Sequence, residues 1–266
     1  MWHNGQQYPD QALDRGLQFG DGHFTTLTVE NGSPRWWPLH WQRLQQASER
    51  LQMLLPPEHE LLDCIAQLIK AQPRQDLVIK IIITRGIGDR GYGFQPQSEA
   101  NWYLTCNLLM SRSAAPLRVD FAQLQLSRSV QLAGLKSLNR LEQVLLSQER
   151  AQRQLDELIA LDTAGEVVEA ISSNIIWREG NQWYTPDLGQ AGIAGVVRGQ
   201  LLEQQPLALK VQTGVRPEQL LAAEQVLLTN SVLGLRPIAQ IGEHRVSDPT
   251  LPEALKNWWH ASDVSY

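Results

Sequence analysis

The chain predicts an α+β protein of two lobes, a smaller α/β lobe followed by a larger one. Three observations carry this. β-rich and helix-periodic runs alternate through residues 1–110. The tract 111–116 is small, polar and ends in proline, as a linker does. Beyond it, over 117–266, short strands are separated by only a few helical runs. With 266 residues, 42% of them hydrophobic, the chain can bury one sizeable core or two modest ones.

The elements follow in order. Phe24 to Glu30 predicts a strand. Asn31-Gly32 accepts the positive φ that a two-residue hairpin demands, so Arg35 to Trp37 is expected to be the partner strand. Leu39 to Met53 predicts a helix with Leu44, Ala47, Leu51 and Leu54 on one face. A second helix is expected from about His59 to Ala71, with Leu61, Leu62, Ile65, Leu68 and Ile69 apolar. Leu77 to Thr84 is a β-rich run, the loop Arg85 to Gly93 is glycine-rich, and Trp102 to Leu109 predicts another strand. After the linker come a helix from about Asn139 to Leu155 and strands at Glu157–Leu161, Glu166–Glu169 and Asn174–Arg178. Gly180-Asn181 predicts a hairpin to Trp183–Thr185. A helix starts near Val196. Later strands are expected at Leu209–Thr213, Gln225–Leu228 and Pro237–Ile241, and a last helix at Pro249–Trp259.

Charge narrows the classes of function. Lys and Arg number 23 against 28 Asp and Glu, a net charge of −5. That balance gives no footprint for nucleic acid or an anionic membrane, so an anionic ligand must be held by a local site. Two cysteines, Cys64 and Cys106, cannot make a four-thiolate zinc site or a disulfide framework and are expected to be small buried hydrophobes. No metal is expected. Neither a signal segment nor a run of about 18 apolar residues is apparent, so a cytoplasmic protein is expected. The nine tryptophans are expected to serve packing.

Five segments carry candidate chemistry. Gly134 to Gln143 places Lys136 between Leu135 and Leu138 at the expected start of a helix. A lysine drawn into an apolar pocket loses its charge more readily, and a neutral amine attacks an aldehyde. Gly165 to Asn174 contains Glu169 on a short strand, where a carboxylate could bond a protonated pyridine nitrogen and keep the ring an electron sink. Ala194 to Arg198 leads into a helix whose first amides, at Val196 and Val197, suit a phosphate. Thr229-Asn230-Ser231 brings hydroxyls after an apolar strand. His40 to Leu44 carries Arg43, whose fork matches phosphate oxygens. Each alone has a plainer account: a surface lysine, a solvated strand end, an ordinary helix start, a self-capping turn.

Taken together, their order and spacing closely resemble the class-IV aminotransferases, the fold-type IV pyridoxal-phosphate enzymes. The resemblance runs from Phe19-Gly20-Asp21-Gly22 to about Ile238. It implies a small N-terminal α/β domain, a larger C-terminal pseudo-barrel domain, pyridoxal 5′-phosphate as cofactor, and a homodimer. It also implies that Lys136 is the Schiff-base lysine and that Glu169, in a Glu-x4-Asn pattern with Asn174, partners the pyridine nitrogen. Arg43, Val196, Val197 and Ser231 would hold the phosphate.

Within the family, three segments lean towards the aminodeoxychorismate lyases: Phe19 to Thr26, Arg85 to Tyr92, and Leu135 to Leu146. Arg140 stands near the place where branched-chain transaminases carry tyrosine. Tyr92 replaces the histidine with which D-amino-acid transaminases grip a substrate carboxylate, while Arg90 is retained. Arg90 and Tyr92 are therefore the substrate-binding candidates. The implied reaction converts 4-amino-4-deoxychorismate to 4-aminobenzoate and pyruvate, a step towards folate. A D-amino-acid or branched-chain transaminase is the alternative of the same fold, and a non-catalytic cofactor-binding or structural protein is the alternative of another class.

Overall fold

β-Branched runs punctuated by turn residues set the first unit. The computed structural model describes residues 2–3, 6–7, 13–72, 76–88, 91–95, 97–110 and 115–262. Of these, one compact unit takes the residues up to Leu109 together with Lys136–Asn139, and a second takes Met110–Leu135 and the residues from Arg140 onward. The linker expected at 111–116 falls mostly on residues 111–114, outside the described residues.

In the first unit, β1 (Trp2–His3) and β2 (Gln6–Gln7) pair with each other, and α1 (Arg15–Phe19) follows. An antiparallel sheet of order β4-β3-β5-β6 comes next, built from β3 (Gly22–Glu30), β4 (Ser33–Pro34), β5 (Leu77–Thr84) and β6 (Asn101–Leu108). The β3–β4 turn has φ of 52° at Asn31 and 80° at Gly32, the double positive φ of the expected hairpin. That turn pairs Glu30 with Ser33 and Val29 with Pro34. The partner strand is therefore Ser33–Pro34, not Arg35–Trp37. The Arg35 N–H still donates to the Thr28 carbonyl at 2.9 Å, but Trp36 turns out of the strand with φ 53°, and Pro38 favours the helix start that follows.

α2 (Trp37–Leu51) and α3 (Glu58–Ala71) flank β3 and β5 in sequence. α2 begins two residues before the expected start and stops at Gln52, which adopts φ 53°. Leu54 consequently lies beyond the helix and is 45% exposed, while Leu44 and Ala47 are buried. Leu77, Ile79, Ile81 and Ile83 alternate along one face of β5 and are fully buried with Leu27, Leu44, Leu61 and Ile65. Cys64 and Cys106 are half-buried rather than buried; Cys106 lies on β6, the last strand of the sheet, where one side has no neighbouring strand.

The second unit is organised by a nine-stranded sheet with the path β12-β11-β10-β13-β14-β7-β8-β9, and β15 added on β14. Its strands are β7 (Leu117–Phe121), β8 (Glu157–Leu161), β9 (Val167–Ala170), β10 (Asn174–Glu179), β11 (Gln182–Pro186), β12 (Leu209–Gln212), β13 (Gln225–Asn230), β14 (Gly234–Ile241) and β15 (His244–Arg245). Its helices are α4 (Leu141–Gln152), α5 (Val196–Gln204), α6 (Pro217–Ala222) and α7 (Glu253–Ala261). β9, at one end of the path, also touches β10 near its middle, so the sheet curls back on itself. Val119, Ile159, Val167, Ile175, Trp177, Val226, Leu228 and Ile238 fill its interior. No helix among the described residues is long and apolar enough to cross a membrane.

Candidate functional site

The lysine segment departs from the sequence expectation in its backbone. Lys136 does not start a helix; α4 begins five residues later, at Leu141. Lys136–Asn139 instead extends antiparallel to the start of β3. The Phe24 N–H donates to the Lys136 carbonyl at 3.0 Å, and the Leu138 N–H donates to Gly22 at 3.0 Å. Ser137 bridges His23 between them. These pairings occupy the edge of β3 opposite β5, the edge that also carries β4. A strand neighbour aims the side chain more narrowly than a fraying helix start would. Lys136 Nζ lies 4.4 Å from the centroid of the Phe24 ring, a cation–π contact worth about 0.5–2 kcal/mol.

Around it the first unit supplies an anion-ready corner. His40 and Arg43 are one turn apart on α2 and so share a face. His40 is fully buried, and its Nδ1 bonds Thr25 Oγ1 at 2.7 Å. Its Nε2 is buried with no hydrogen-bond partner among the described residues. Burial pushes the His40 pKa well below its ordinary value, helped by the charges of Arg43 and Lys136, so the ring is neutral. Burial also pushes Arg43 down to about 10, which leaves its guanidinium charged at neutral pH. Two strand positions before Thr25, His23 bonds Ser48 at 2.8 Å, and burial lowers its pKa to about 4.

The glycine-rich loop of this unit is tied down by two arginines. Arg15 donates to the carbonyls of Gly91, Tyr92 and Gly93 at 3.3, 3.1 and 2.9 Å. Arg85 donates to the carbonyls of Leu51 and Gln52, each at 2.8 Å. Both arginines also bond Asp21 at 2.8 Å. Burial would raise the Asp21 pKa, but Arg85 and Arg15 more than offset it and hold the carboxyl below its usual range. Tyr92 is 85% exposed, its ring 5.3 Å from that of Phe19. Arg90 lies outside the described residues.

In the second unit Glu169 and Asn174 converge on the main chain of one residue, Ile193. Both are buried, at 3% and 5% exposure. Glu169 Oε2 accepts the Ile193 N–H at 2.8 Å, and Asn174 Nδ2 donates to the Ile193 carbonyl at 2.8 Å. Two residues on, Gly195 caps α5, and Val196 and Val197 open it. A Cβ at Gly195 would stand 1.9 Å from Asn174 Oδ1, so only glycine lets the chain pass there. Arg198 fastens the first turn of α5 by donating to Thr185 Oγ1 at 3.0 Å and to the Pro186 carbonyl at 2.8 Å. On β13, Thr229 faces Asn174 in register, and its Oγ1 is buried with no hydrogen-bond partner among the described residues. Half-buried Ser231 follows directly after that strand. Arg140 is electrostatically coupled to Glu169; burial lowers its pKa, against the pull of Glu169 and Glu142.

Each unit by itself carries groups that a phosphate-bearing aldehyde would use. The first unit offers an amine, a half-buried guanidinium and an unmet buried imidazole nitrogen. The second offers a buried carboxylate, a helix start and an unmet buried hydroxyl. Within the first unit the structure groups Lys136 with Arg43. Within the second it groups Glu169, Asn174, Val196 and Val197, with Ser231 directly after the strand that pairs with Asn174. Sequence reasoning passed over His40 and Ile193 as site residues, and named Arg140 only for its place near the branched-chain transaminase tyrosine. Of the first two, only His40 carried a sequence signal, its three-residue spacing from Arg43 on a helix.

The chain belongs to the Amino-transferase class IV family, whose model matches residues 22–241. More particularly, it is 30% identical over 260 residues to an aminodeoxychorismate lyase of Vibrio harveyi, covering 94% of each chain. It is 31% identical over 238 residues to an aminodeoxychorismate lyase of Bacillus subtilis, covering 87% of this chain and 81% of that one. Among solved structures it resembles the 4-amino-4-deoxychorismate lyase of Pseudomonas aeruginosa, with a TM-score of 0.80 and 34% identity over 100% of this chain and 99% of that one.

Proposed function

We propose that this protein is a pyridoxal-phosphate-dependent lyase that splits 4-amino-4-deoxychorismate into 4-aminobenzoate and pyruvate, acting as a homodimer in the cytoplasm. The observation that carries the reading is Lys136, a half-buried amine held over Phe24 in the same unit as neutral His40 and charged Arg43. The lyase relatives, 30–34% identical over most or all of the chain, point the same way.

Pyridoxal phosphate, when bound, supplies an aldehyde for the substrate amine and a ring that accepts the electron pair of a broken C–H bond. Lys136 removes the proton from the ring carbon bearing nitrogen. With the cofactor bound, Glu169 would hold a proton on the pyridine nitrogen; the phosphate-binding candidates are Arg43 in the first unit and, in the second, the amides of Val196 and Val197 and the hydroxyl of Ser231. The bond between the neighbouring carbon and the enolpyruvyl oxygen then breaks. Lys136 returns its proton to the enolpyruvyl carbon, which leaves as pyruvate while the carbocycle becomes aromatic; no water is consumed. Arg90 and Tyr92 take a substrate carboxylate, a role supported at Tyr92 by the three Arg15 bonds that fix its loop. The homodimer is supported by Leu141, Val144 and Leu145, which share one face of α4 at 71%, 60% and 44% exposure.

The test is to mix cofactor-loaded protein with 4-amino-4-deoxychorismate. Equimolar 4-aminobenzoate and pyruvate are expected. Amino-group transfer to a keto acid without 4-aminobenzoate would replace this reading with a transaminase, and a protein inert to amines would replace it with a non-catalytic one.

A further inference from the structure

The Ile193 peptide is gripped on all sides. Its N–H goes to Glu169 and its carbonyl to Asn174. On either side, the Gly134 N–H donates to the Gly192 carbonyl at 2.9 Å, and the Ala194 N–H donates to the Gly134 carbonyl at 3.0 Å. The four polar groups from the Gly192 carbonyl to the Ala194 N–H are thus all spoken for, by two side chains and one glycine. Glu169 and Asn174 sit on different strands, β9 and β10, yet hold the two successive peptide groups that flank the Ile193 Cα. One Nδ2 hydrogen of Asn174 is spent on that buried carbonyl and its Oδ1 lies where a Cβ of residue 195 would stand, so the side-chain amide is fixed against the main chain.

We propose that Asn174 is a positioning residue that does not itself touch the cofactor. By holding the Ile193 carbonyl, it turns the Ile193 N–H onto Glu169 Oε2 and sets the turn through Gly195 that delivers the amides of Val196 and Val197. Glu169 is thereby oriented through a peptide, not by direct contact with Asn174. Gly195 completes the arrangement, because its missing Cβ is what lets Asn174 Oδ1 press against the helix start. The inference rests on the cofactor reading above for its effect on binding, though not for its effect on the peptide.

The experiment uses Asn174→Ala and the isosteric Asn174→Asp, which keeps the volume and replaces the donor with an acceptor. Amide hydrogen exchange of Ile193 and Ala194 is measured on the cofactor-free proteins. Affinity for pyridoxal phosphate is measured separately by titration. Exchange at both amides is expected to quicken about tenfold or more, as for loss of one buried hydrogen bond. Affinity is expected to fall by a similar factor. Combined with Glu169→Gln, the loss of affinity is expected to be smaller than the product of the two single losses, because both side chains hold the same residue, Ile193. Unchanged exchange with weakened affinity would overturn the proposal and make Asn174 a direct ligand. Lower thermal stability with unchanged affinity would overturn it in favour of a purely structural role. Should the unaltered protein bind no pyridoxal phosphate, the cofactor reading falls, while the exchange measurement still judges Asn174.

Discussion

Beside the lysine segment of the first unit, buried side chains answer one another: His23 bonds Ser48, and Thr25 bonds His40. Around Ile193 in the second unit they answer the main chain: Glu169 takes the Ile193 N–H and Asn174 its carbonyl. The contrast separates two tasks. Burial around the paired side chains sets protonation, since it is the first cause of the lowered pKa of both rings. Side chains bonded to peptides set position, since moving one means moving backbone. In the proposed roles, the amine that exchanges protons stands in the first setting, and the carboxylate that stays in place stands in the second.

Three substitutions test this division. The largest effect is expected at Lys136. Lys136→Ala should lower turnover by more than the roughly 10⁴-fold upper range of a lone acid–base group, since it removes the anchor as well. Borohydride treatment followed by peptide mass analysis should then find no cofactor fixed at position 136; wild-type turnover would break the contrast outright. Next comes Glu169→Ala, expected to slow turnover by about 10²- to 10⁴-fold, or about 3–5 kcal/mol. The variant should still retain cofactor, and undiminished turnover would show that a carboxylate is not needed there.

The smallest effect is one of pH. His23 has a folded pKa of about 4, below its ordinary 6.5. The unfolded chain therefore binds a proton between these values that the folded chain does not, and stability falls as pH drops from 6.5 towards 4. The total is about 3 kcal/mol. His23→Asn is expected to flatten that decline, leaving the part due to His40, which titrates in the same direction. Urea midpoints at pH 7 and pH 4.5 measure it; an equally steep decline in the variant would remove His23 from the account.

Local chemistry made several features readable from sequence. β5 and β8 have the expected bounds, and Asn31-Gly32 and Gly180-Asn181 turn where predicted, because strand propensity and positive φ are properties of neighbouring residues. The extended form of Lys136–Asn139, ahead of the helix, was not legible because that segment takes its form from β3, more than a hundred residues earlier in the chain. The same limit hid Ile193. Its peptide earns a role only through side chains 24 and 19 residues away, and a backbone amide has no letter in a sequence. The unmet nitrogen of His40 is likewise a product of what packs around it.

Because Lys136–Asn139 completes the edge of β3, the smaller lobe is not a transferable cassette. A chimera joined at residue 110 would import Phe24 and Gly22 without the main-chain partners that Lys136 and Leu138 provide. Its open strand edge would invite adventitious pairing. On the ribosome, likewise, that lobe stays unfinished until residue 139 has emerged, so the reactive lysine is among the last pieces to be laid into its sheet.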